Sequence, residues 1–370
     1  MSRTLTVAIV GGGIAGLCTA WAFTKLGHSV TLFEQASSIP NELSASGDQH
    51  RILRHAYGER DGYARMMPEA DAAWAELWKD IGAEHFVPTG ILILSQRTGD
   101  GGDILRLGLD RMGQKYRTLE PEVASGLYPF LSKGLFRYAL MFGGGVLMCR
   151  EIARDMVSWL VRNGARVVTN TRVRGIATDK GELDILGLGT YAYDRVVVAA
   201  GAWTSRLLPH LSSILLNYRN VVLYLEPPRR LNAAWASAPV IAETGGWLEG
   251  YILPPVRGTK LKVGIGSYRA PSAGPDDCFS TSWEEGERLM SMISPALHGA
   301  AEYRIIGTRT CSYVFTKDGH FYAGRFGKVT VISACSGHGY KFGAVAGLRL
   351  AQCVENDNHD GFNRWLRTEA

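Results

Sequence analysis

The chain has 370 residues, of which 46% are hydrophobic and 20% charged, and its formal net charge is +5. This composition is ordinary for a globular protein with a substantial core, and the basic residues form no long run, so we do not expect a nucleic-acid-binding surface. No apolar stretch free of glycine reaches the roughly 18 residues of a membrane-spanning helix, which argues against a membrane protein. The length allows two domains of ordinary size or one large one.

Six cysteines, at positions 18, 149, 278, 311, 335 and 353, are scattered along the chain. They have neither a CxxC motif nor the spacing of metal ligands, so we predict reduced thiols and no metal site. An apolar stretch between Arg3 and Ala22 resembles a secretory signal peptide, but three consecutive glycines from Gly11 would interrupt its helix. The sequence therefore predicts a cytoplasmic protein.

Residues 7–34 follow the order strand, glycine turn, helix, strand and acid. Gly11, Gly13 and Gly16 have the spacing that permits a tight turn, a close approach of a ligand to the backbone, and close packing of the helix on the strand. A glycine turn flanked by strands in this way is typical of a dinucleotide-binding site.

The helix and the acid each supply part of that site. A pyrophosphate beside Ile14 and Ala15 would meet the unpaired N–H groups at the start of the helix, where the helix dipole favours negative charge. Glu34 follows Gly16 by eighteen residues and ends the second apolar run. An acid at this distance can accept hydrogen bonds from both hydroxyls of an adenosine ribose.

Further signals of the same nucleotide-binding domain recur along the chain. Helical periodicity at 150–163 precedes a strand, and the β-branched run at 195–203 predicts a buried strand that ends in Ala-Gly-Ala. Residues 329–333 predict one more strand. A glycine-rich turn at 335–343 then leads to a C-terminal helix at about 343–355.

Two intervening segments, 87–145 and 219–305, have the alternation of strands in GILIL, NVVLYLEP and KLKVGIG, between turns rich in proline and glycine. We interpret them as halves of a largely antiparallel substrate domain that is inserted twice and closes over the cofactor. The predicted fold is thus α/β plus α+β, with a Rossmann-like dinucleotide-binding domain. That domain would comprise residues 1–86, 146–218 and 306–370.

Four motifs together resemble one known family. They are the glycine-rich start, SGDQHRILRHAYGE at 46–59, RTCSYVFTKDGHF around Cys311, and CSGHGYKF at 335–342. The chain resembles the monomeric sarcosine oxidase group of the D-amino-acid-oxidase-like flavoproteins, which includes N-methyltryptophan oxidase and pipecolate oxidase. The resemblance extends to about residue 352, and it implies a Rossmann-like FAD-binding domain rather than an NAD site. It also implies a monomer that oxidises the C–N bond of a secondary or cyclic amino acid with O2 and releases hydrogen peroxide.

The resemblance implies most for Cys311. The family attaches its flavin through a cysteine thioether to the 8α-methyl group, in a setting of Cys-x-Tyr and His-Phe that here comprises Cys311, Tyr313, His320 and Phe321. The attachment requires a thiolate, which nearby basic groups would favour. From composition alone, a buried cysteine that packs as a small apolar side chain is the alternative. The resemblance also makes Tyr313 a substrate-binding residue.

Arg51 and Arg54 are three residues apart and would share one face of a helix. The resemblance implies that Arg51 lies against the flavin ring and that Arg54 binds the substrate carboxylate, with Lys341 as a second cation. A guanidinium suits this role because its planar fork donates two parallel hydrogen bonds to a carboxylate. Two cations in one small pocket also indicate an acidic ligand. A surface pair that forms ion bridges is the alternative for the arginines.

Lys262 and Lys260 alternate along a predicted strand and would point to the same side. A pair of exposed lysines is one interpretation, whereas the resemblance implies that Lys262 activates oxygen and that Tyr251 lies in the active site. The chain departs from the family at Gly266, where the sarcosine oxidases have a histidine. We therefore expect a roomier pocket, or a substrate other than sarcosine.

The resemblance implies further cofactor contacts near the last helix and at strand ends. The N–H groups of residues 339–341 open that helix and would stabilise anionic reduced flavin. His338 is either a packing residue or part of the chemistry. The implied contacts are Val173, Gly201, Trp203, Gly337, Gly339, Tyr340 and Lys341.

Three other functions are compatible with parts of this pattern. A flavin dehydrogenase of the same fold would pass electrons to a carrier, although Lys262 argues for O2. An NADPH-dependent aromatic hydroxylase would need a Gly-Asp motif before the last helix, where CSGHGYKF is found instead. A catalytically silent flavoprotein would have no reason to keep Arg54, Cys311 and Lys341 together.

Overall fold

The computed structural model describes residues 3–276, 280–333 and 336–369. Its helices are α1 (Ile14–Lys25), α2 (Asp61–Ile81), α3 (Gly101–Arg111), α4 (Pro121–Leu127), α5 (Cys149–Arg162), α6 (Thr204–Leu207), α7 (Asn232–Ala236), α8 (Trp283–Ile293), α9 (Gly339–Asn356) and α10 (His359–Leu366). Its strands are β1 (Thr6–Val10), β2 (Ser29–Phe33), β3 (His50–Leu53), β4 (Phe86–Val87), β5 (Ile91–Ser95), β6 (Arg117–Leu119), β7 (Tyr138–Phe142), β8 (Gly145–Met148), β9 (Arg166–Val168), β10 (Val173–Ala177), β11 (Glu182–Ile185), β12 (Gly189–Ala192), β13 (Arg195–Val198), β14 (Leu216–Glu226), β15 (Val240–Glu243), β16 (Gly250–Leu253), β17 (Leu261–Ile265), β18 (Ala270–Pro271), β19 (Arg304–Phe315), β20 (Tyr322–Phe326) and β21 (Val329–Ser333).

A mostly parallel sheet has the strand order β20-β21-β13-β1-β2-β9, with β20 as its antiparallel edge. The central strand β1 is buried on both faces, which explains its unbroken apolar sequence. Val7 and Ile9 pack into a core shared with α1, α2, α5 and α9, while Ala8 and Val10 pack into a second core on the other face. This is the predicted Rossmann-like arrangement.

The second large sheet has the order β18-β14-β17-β16-β15-β5-β7-β6, and β19 also pairs with β14. Its pairs are antiparallel except for β5 with β15. Along β5, Leu92 and Leu94 enter one core, and Ile91 and Ile93 enter another on the opposite face. The apolar run of this strand therefore reflects burial on both sides. Two smaller sheets, β10-β11-β12 and β3-β8-β4, complete the described strands.

The segment with Arg51 and Arg54 forms a strand and not the shared helix face that the spacing suggested. Arg51 lies on β3 opposite Leu147 of β8, and Arg54 follows the end of β3. Long-range pairing with β8 overrides the local spacing, so the two arginines lie in different surroundings. The last helix is also longer than predicted, because it begins at Gly339 rather than near residue 343.

Two long strands cross the bounds predicted for the domains. β14 continues through the bound at residue 218, and β19 through the bound at residue 305. The two strands pair along most of their length, so residues 306–315 belong to the second large sheet. The division of the chain into two domains stays a prediction.

Candidate active site

Two positions have room for glycine alone, one in the turn between β1 and α1 and one in the first turn of α1. Gly11 has a φ of +109°, and a Cβ there would lie 2.6 Å from the carbonyl oxygen of Ala199. A Cβ on Gly16 would lie 1.8 Å from the carbonyl oxygen of Gly11. Both distances are far below van der Waals contact, so any larger residue would push the helix away from the turn. The close helix–strand packing predicted from the motif is therefore present.

Glu34 lies beside this turn and is 4% exposed. Its carboxylate accepts hydrogen bonds from the N–H groups of Gly12, at 2.7 Å, and Ala36, at 2.9 Å. A carboxylate has about four acceptor positions, so two are left for a ligand. Ser46, which the sequence did not single out, accepts from the N–H of Ile14 at 3.0 Å.

A cavity of about 1420 Å³, counted with its open mouth, runs along this turn. Its wall contains nine of the residues predicted to contact the cofactor, namely Gly11, Gly13, Ile14, Ala15, Glu34, Val173, Gly201, Trp203 and Gly339. Gly16 packs behind the turn. The predicted contacts that do not line this cavity are Arg51, Cys311, Gly337, Tyr340 and Lys341.

A buried carboxylate, Asp48, joins two of the predicted catalytic residues. Its Oδ2 accepts from Arg51 Nη1 at 2.5 Å and from Lys262 Nζ at 2.9 Å, and its Oδ1 accepts from the Tyr224 hydroxyl at 2.6 Å. Burial would raise the pKa of Asp48, but the charges of Lys262 and Arg51 outweigh this and hold it well below its usual range. Sequence reasoning missed Asp48, although it lies within the SGDQHR motif.

Lys262 is 1% exposed, so the interpretation of two exposed strand lysines is wrong for this residue. Besides Asp48, its Nζ donates to the carbonyl oxygen of His50 at 2.5 Å. Burial lowers the pKa of Lys262, and the neighbouring carboxylate opposes this. Lys260 is exposed, with its Nζ 5.6 Å from the centre of the Tyr224 ring.

Cys311 and Tyr251 lie on the same face of the second sheet as Lys262. Cys311 is 4% exposed and pairs with Asn220 across β14. The Tyr251 ring crosses β17 over Gly264, where a Cβ would lie 2.1 Å from the tyrosine hydroxyl. Burial raises the pKa of the Cys311 thiol, and the positive charge of Arg51 offsets this only in part. Burial likewise raises the pKa of Tyr251 to about 12.

Arg54 and Tyr57 each contribute a buried polar atom to the part of the site near Lys341. The Nη1 of Arg54 and the hydroxyl of Tyr57 are buried and have no hydrogen-bonding partner among the residues that the structure describes. Burial lowers the pKa of Arg54. The Nζ of Lys341, a residue 9% exposed, lies 5.6 Å from the centre of the Tyr57 ring. Buried polar atoms of this kind normally have partners, which indicates a ligand with acceptor groups.

The glycine-rich motif at the start of α9 is described from Ser336 onwards, and its first residue, Cys335, lies outside the described residues, as does Cys278. His338 stacks on Tyr63 with ring centres 4.8 Å apart. Burial holds the pKa of His338 well below its usual value. The stacking and the neutral ring favour a packing role for His338.

Gly266 does not produce the open space that its missing side chain suggested. A Cβ at this position would lie 2.5 Å from Oε2 of Glu249, so an acid occupies the adjoining space. Glu249 has a φ of +51° and an exposed side chain, and its carbonyl oxygen accepts from the N–H of Gly266. Glu249 in turn pairs with Arg269, with 3.8 Å between its Oε2 and the arginine Nη1, and whether the substrate differs from sarcosine stays a prediction.

The model of one protein family, described as FAD dependent oxidoreductase, matches residues 6–353. The chain belongs to this FAD-dependent oxidoreductase family. It is 28% identical to monomeric sarcosine oxidase from Bacillus sp. (strain NS-129), over 95% of this chain and 93% of that protein. It is 25% identical to N-methyl-L-tryptophan oxidase from Yersinia pestis (strain Pestoides F), over 92% of each chain. The family resemblance and the predicted enzyme class are confirmed.

Solved structures of this oxidoreductase fold superimpose on nearly the whole chain. NikD, an unusual amino acid oxidase essential for nikkomycin biosynthesis, has a TM-score of 0.80 at 19% identity and covers 97% of this chain and 95% of its own. L-proline dehydrogenase from P. horikoshii has a TM-score of 0.81 at 18% identity, with coverages of 100% and 98%. The TM-scores over nearly the whole chain establish the fold, which is the one predicted from the sequence.

The residues of this FAD-dependent oxidoreductase fit an FAD molecule. The glycine turn leaves the backbone open to a pyrophosphate, Glu34 keeps acceptor positions for a ribose, and the cavity extends from the turn to Ser312 and Val314 of β19. Cys311 and Tyr313 alternate with these two residues and point to the other face of β19, toward Arg51.

Along the described part of the chain, no helix is long and apolar enough to cross a membrane.

Proposed function

We propose that this protein is an FAD-dependent amine oxidase that converts a secondary amino acid, N-alkyl or cyclic, to an imine and reduces O2 to hydrogen peroxide. The observation that carries the proposal is the unpartnered Nη1 of Arg54 beside the unpartnered hydroxyl of Tyr57. The names of two related oxidases, monomeric sarcosine oxidase and N-methyl-L-tryptophan oxidase, support the same class of substrate.

Arg54, Tyr57 and Lys341 would bind the substrate carboxylate. The guanidinium donates through Nη1, and the Tyr57 hydroxyl supplies one more donor. Lys341 adds a second positive charge from the first turn of α9. Fixing the carboxylate in this way orients the amine-bearing carbon and lowers the entropic cost of the reaction.

The balance of the proposed reaction is simple. The substrate loses two electrons and two protons as its C–N single bond becomes C=N, and O2 takes up two electrons and two protons to give hydrogen peroxide. FAD, when bound, supplies the carrier of the electron pair between the two halves. Among the described residues we assign no general base to the substrate amine, so we propose that the amine reacts in its neutral form.

Lys262 would hold a fixed positive charge for the reduction of O2. Its Nζ is held by Asp48 and by the carbonyl oxygen of His50, so its position is set before any ligand arrives. A pre-positioned charge stabilises a developing negative charge without reorganisation. Tyr251 and Tyr313 would line the substrate site from the same face of the sheet. Arg51, whose guanidinium donates to Asp48 and to the carbonyl oxygen of Ala45, would lie against the flavin.

We also propose that Cys311 holds the flavin covalently. Arg51, Arg309 and Lys262 bring positive charge to this buried thiol, which would stabilise the thiolate during attachment. Acid precipitation tests this directly, because covalently held flavin stays with the pellet. Cys311→Ala should release its flavin or fail to retain any, and Cys149→Ala, which removes another buried thiol near Arg51, should keep it. Retention of flavin in the Cys311 variant would contradict the assignment.

Peroxide release tests the reaction. The flavin-loaded protein should form peroxide with at least one of sarcosine, N-methyltryptophan, pipecolate or proline, and Arg54→Ala should lose most of this activity at low substrate concentration. Reduction of an artificial electron acceptor with no peroxide would indicate the dehydrogenase instead. Absence of both would favour the silent flavoprotein.

We expect the active form to be a cytoplasmic monomer with buried thiols such as Cys18 and Cys353 reduced.

A further inference from the structure

A β-bulge turns one acid, Glu243, toward the active-site face of the second sheet. On the parallel pair of β15 and β5, Ile241 is opposite Leu92, but Glu243 is opposite Ile93, so Ala242 is an extra residue. Residues opposite each other in a sheet point to the same face, and a one-residue slip moves a side chain to the other face. Ile93 belongs to the core that also contacts Tyr251. The bulge therefore moves Glu243 to the Tyr251 side.

The surroundings of Glu243 hold its side chain in place. Its Oε1 accepts from the N–H of Gly245 at 3.0 Å. On its other side, a Cβ on Gly101, the first residue of α3, would lie 2.9 Å from Oε2. The same helix packs through Gly108 against Gly58, the residue after Tyr57. Helix α3 thus connects Glu243 to the segment that carries Arg54 and Tyr57.

Glu243 and Arg54 act on each other through their charges, although Arg54 Nη1 has no hydrogen-bonding partner. Burial raises the pKa of Glu243 to about 7. Glu243 therefore lies on the Arg54 side of the site.

We propose that Glu243 binds a second hydrogen-bond donor on the substrate, such as an ammonium group, at the end of the site beyond Arg54. This inference rests on the proposed function, because it takes Arg54 as the carboxylate site. The substrate would then be a secondary amino acid whose side chain carries a basic or donor group. Glu249, next to Gly266, also acts on Glu243 through its charge, and its ion pair with Arg269 offsets part of that charge.

Binding of simple acids to the flavin-loaded full chain tests this without turnover. Caproate and ε-aminocaproate both offer a carboxylate to Arg54, neither has an amine beside it, and they differ by one terminal ammonium group. Isothermal calorimetry should show ε-aminocaproate bound about tenfold to a hundredfold more tightly, the range of a charge-assisted hydrogen bond. Glu243→Ala should bring this ratio close to one, and Glu243→Gln, which keeps the shape, should reduce it.

The matched control is Glu249→Gln, which removes a charge from an exposed neighbour of Glu243. It should leave most of the preference, whereas complete loss would assign the ammonium to Glu249 and overturn the proposal. The shorter acids δ-aminovalerate and γ-aminobutyrate extend the series. The length of the acid that binds most tightly would give the distance between the carboxylate site at Arg54 and the ammonium site at Glu243. A ratio of one in the unaltered protein would also overturn it.

Turnover separates this inference from the proposed function. Nα-methyllysine and N-methylnorleucine share the carboxylate and the secondary amine, and they differ in the terminal donor. If both are oxidised with equal kcat/KM, the amine oxidase stands and the role of Glu243 is wrong. If neither acid binds and no amine of any kind is oxidised, the proposed function itself has failed.

Discussion

Arg51 and Lys262 both donate to Asp48, whereas Arg54, three residues after Arg51, has a buried Nη1 with no hydrogen-bonding partner in the described part of the chain. These two cations share one carboxylate, which offsets part of their charge, and their geometry is fixed before any ligand binds. Arg54 keeps its charge available, at a cost in desolvation that an anion would offset. We therefore propose that Asp48 and its partners hold the site together and that Arg54 recognises the substrate.

Removal of Asp48 should have the largest effect, because it leaves two buried cations without their carboxylate. Asp48→Asn should lower the free energy of unfolding by about 3–5 kcal/mol, the usual result of breaking a buried ion pair from one side. Denaturant unfolding measures this. Asp184→Asn, which breaks an exposed pair with Arg174, is the control and should lose far less. Equal losses would mean that Asp48 does not organise the site.

The contacts of Asp48 also explain what sequence reasoning could and could not predict. The glycine turn and Glu34 lie within one short segment, so their spacing alone identified them. The partners of Asp48 come from strands far along the chain, with Tyr224 176 residues away and Lys262 214 residues away. Nothing local marks an acid as the partner of such distant groups.

The same limit applies to the fold and to Glu243. Periodicity identified the two large sheets, but it placed Arg51 and Arg54 on a helix because β8, which pairs with β3, was not visible from the local spacing. Glu243 faces the site because of one extra residue between β15 and β5. A bulge is decided by register between strands that are distant in sequence, so no local pattern contains it.

Replacement of Arg54 should weaken substrate binding more than it lowers stability, the opposite of what we expect for Asp48. Arg54→Met removes a buried charge whose Nη1 has no hydrogen-bonding partner among the described residues, so the free energy of unfolding should not fall by more than the loss of its interaction with Glu243. The same change should raise the KM for the amino acid roughly tenfold to several hundredfold, because a charge-assisted hydrogen bond worth about 1.5–3 kcal/mol is lost. Steady-state kinetics and denaturant unfolding on one preparation check both parts. A variant as unstable as Asp48→Asn would show that Arg54 is structural.

The preference for ε-aminocaproate over caproate should depend on pH. Burial raises the pKa of Glu243 to about 7, so the carboxyl is mostly protonated at pH 6 and mostly ionised at pH 8. The charged groups that act on it from neighbouring segments are Arg54, Asp100 and Glu249. Ionisation favours the ammonium ligand, so the preference should grow severalfold as pH rises through this range. Calorimetry at both pH values measures it, and a constant ratio would contradict it.

Replacement of Tyr57 tests whether the difference between Arg54 and the partners of Asp48 also holds for the tyrosines of the site. We expect the smallest effect from this change. Its hydroxyl is buried and has no hydrogen-bonding partner in residues 3–276, 280–333 and 336–369, so Tyr57→Phe removes no hydrogen bond that the structure shows and should not lower the free energy of unfolding. With substrate bound, the hydroxyl would donate to the carboxylate, and its loss should raise KM about twofold to tenfold, as for one neutral hydrogen bond. Tyr224→Phe is the matched control, because its hydroxyl donates to Asp48. That variant should lose stability while KM changes little. The reverse result would mean that the two tyrosines had been assigned to the wrong parts of the site.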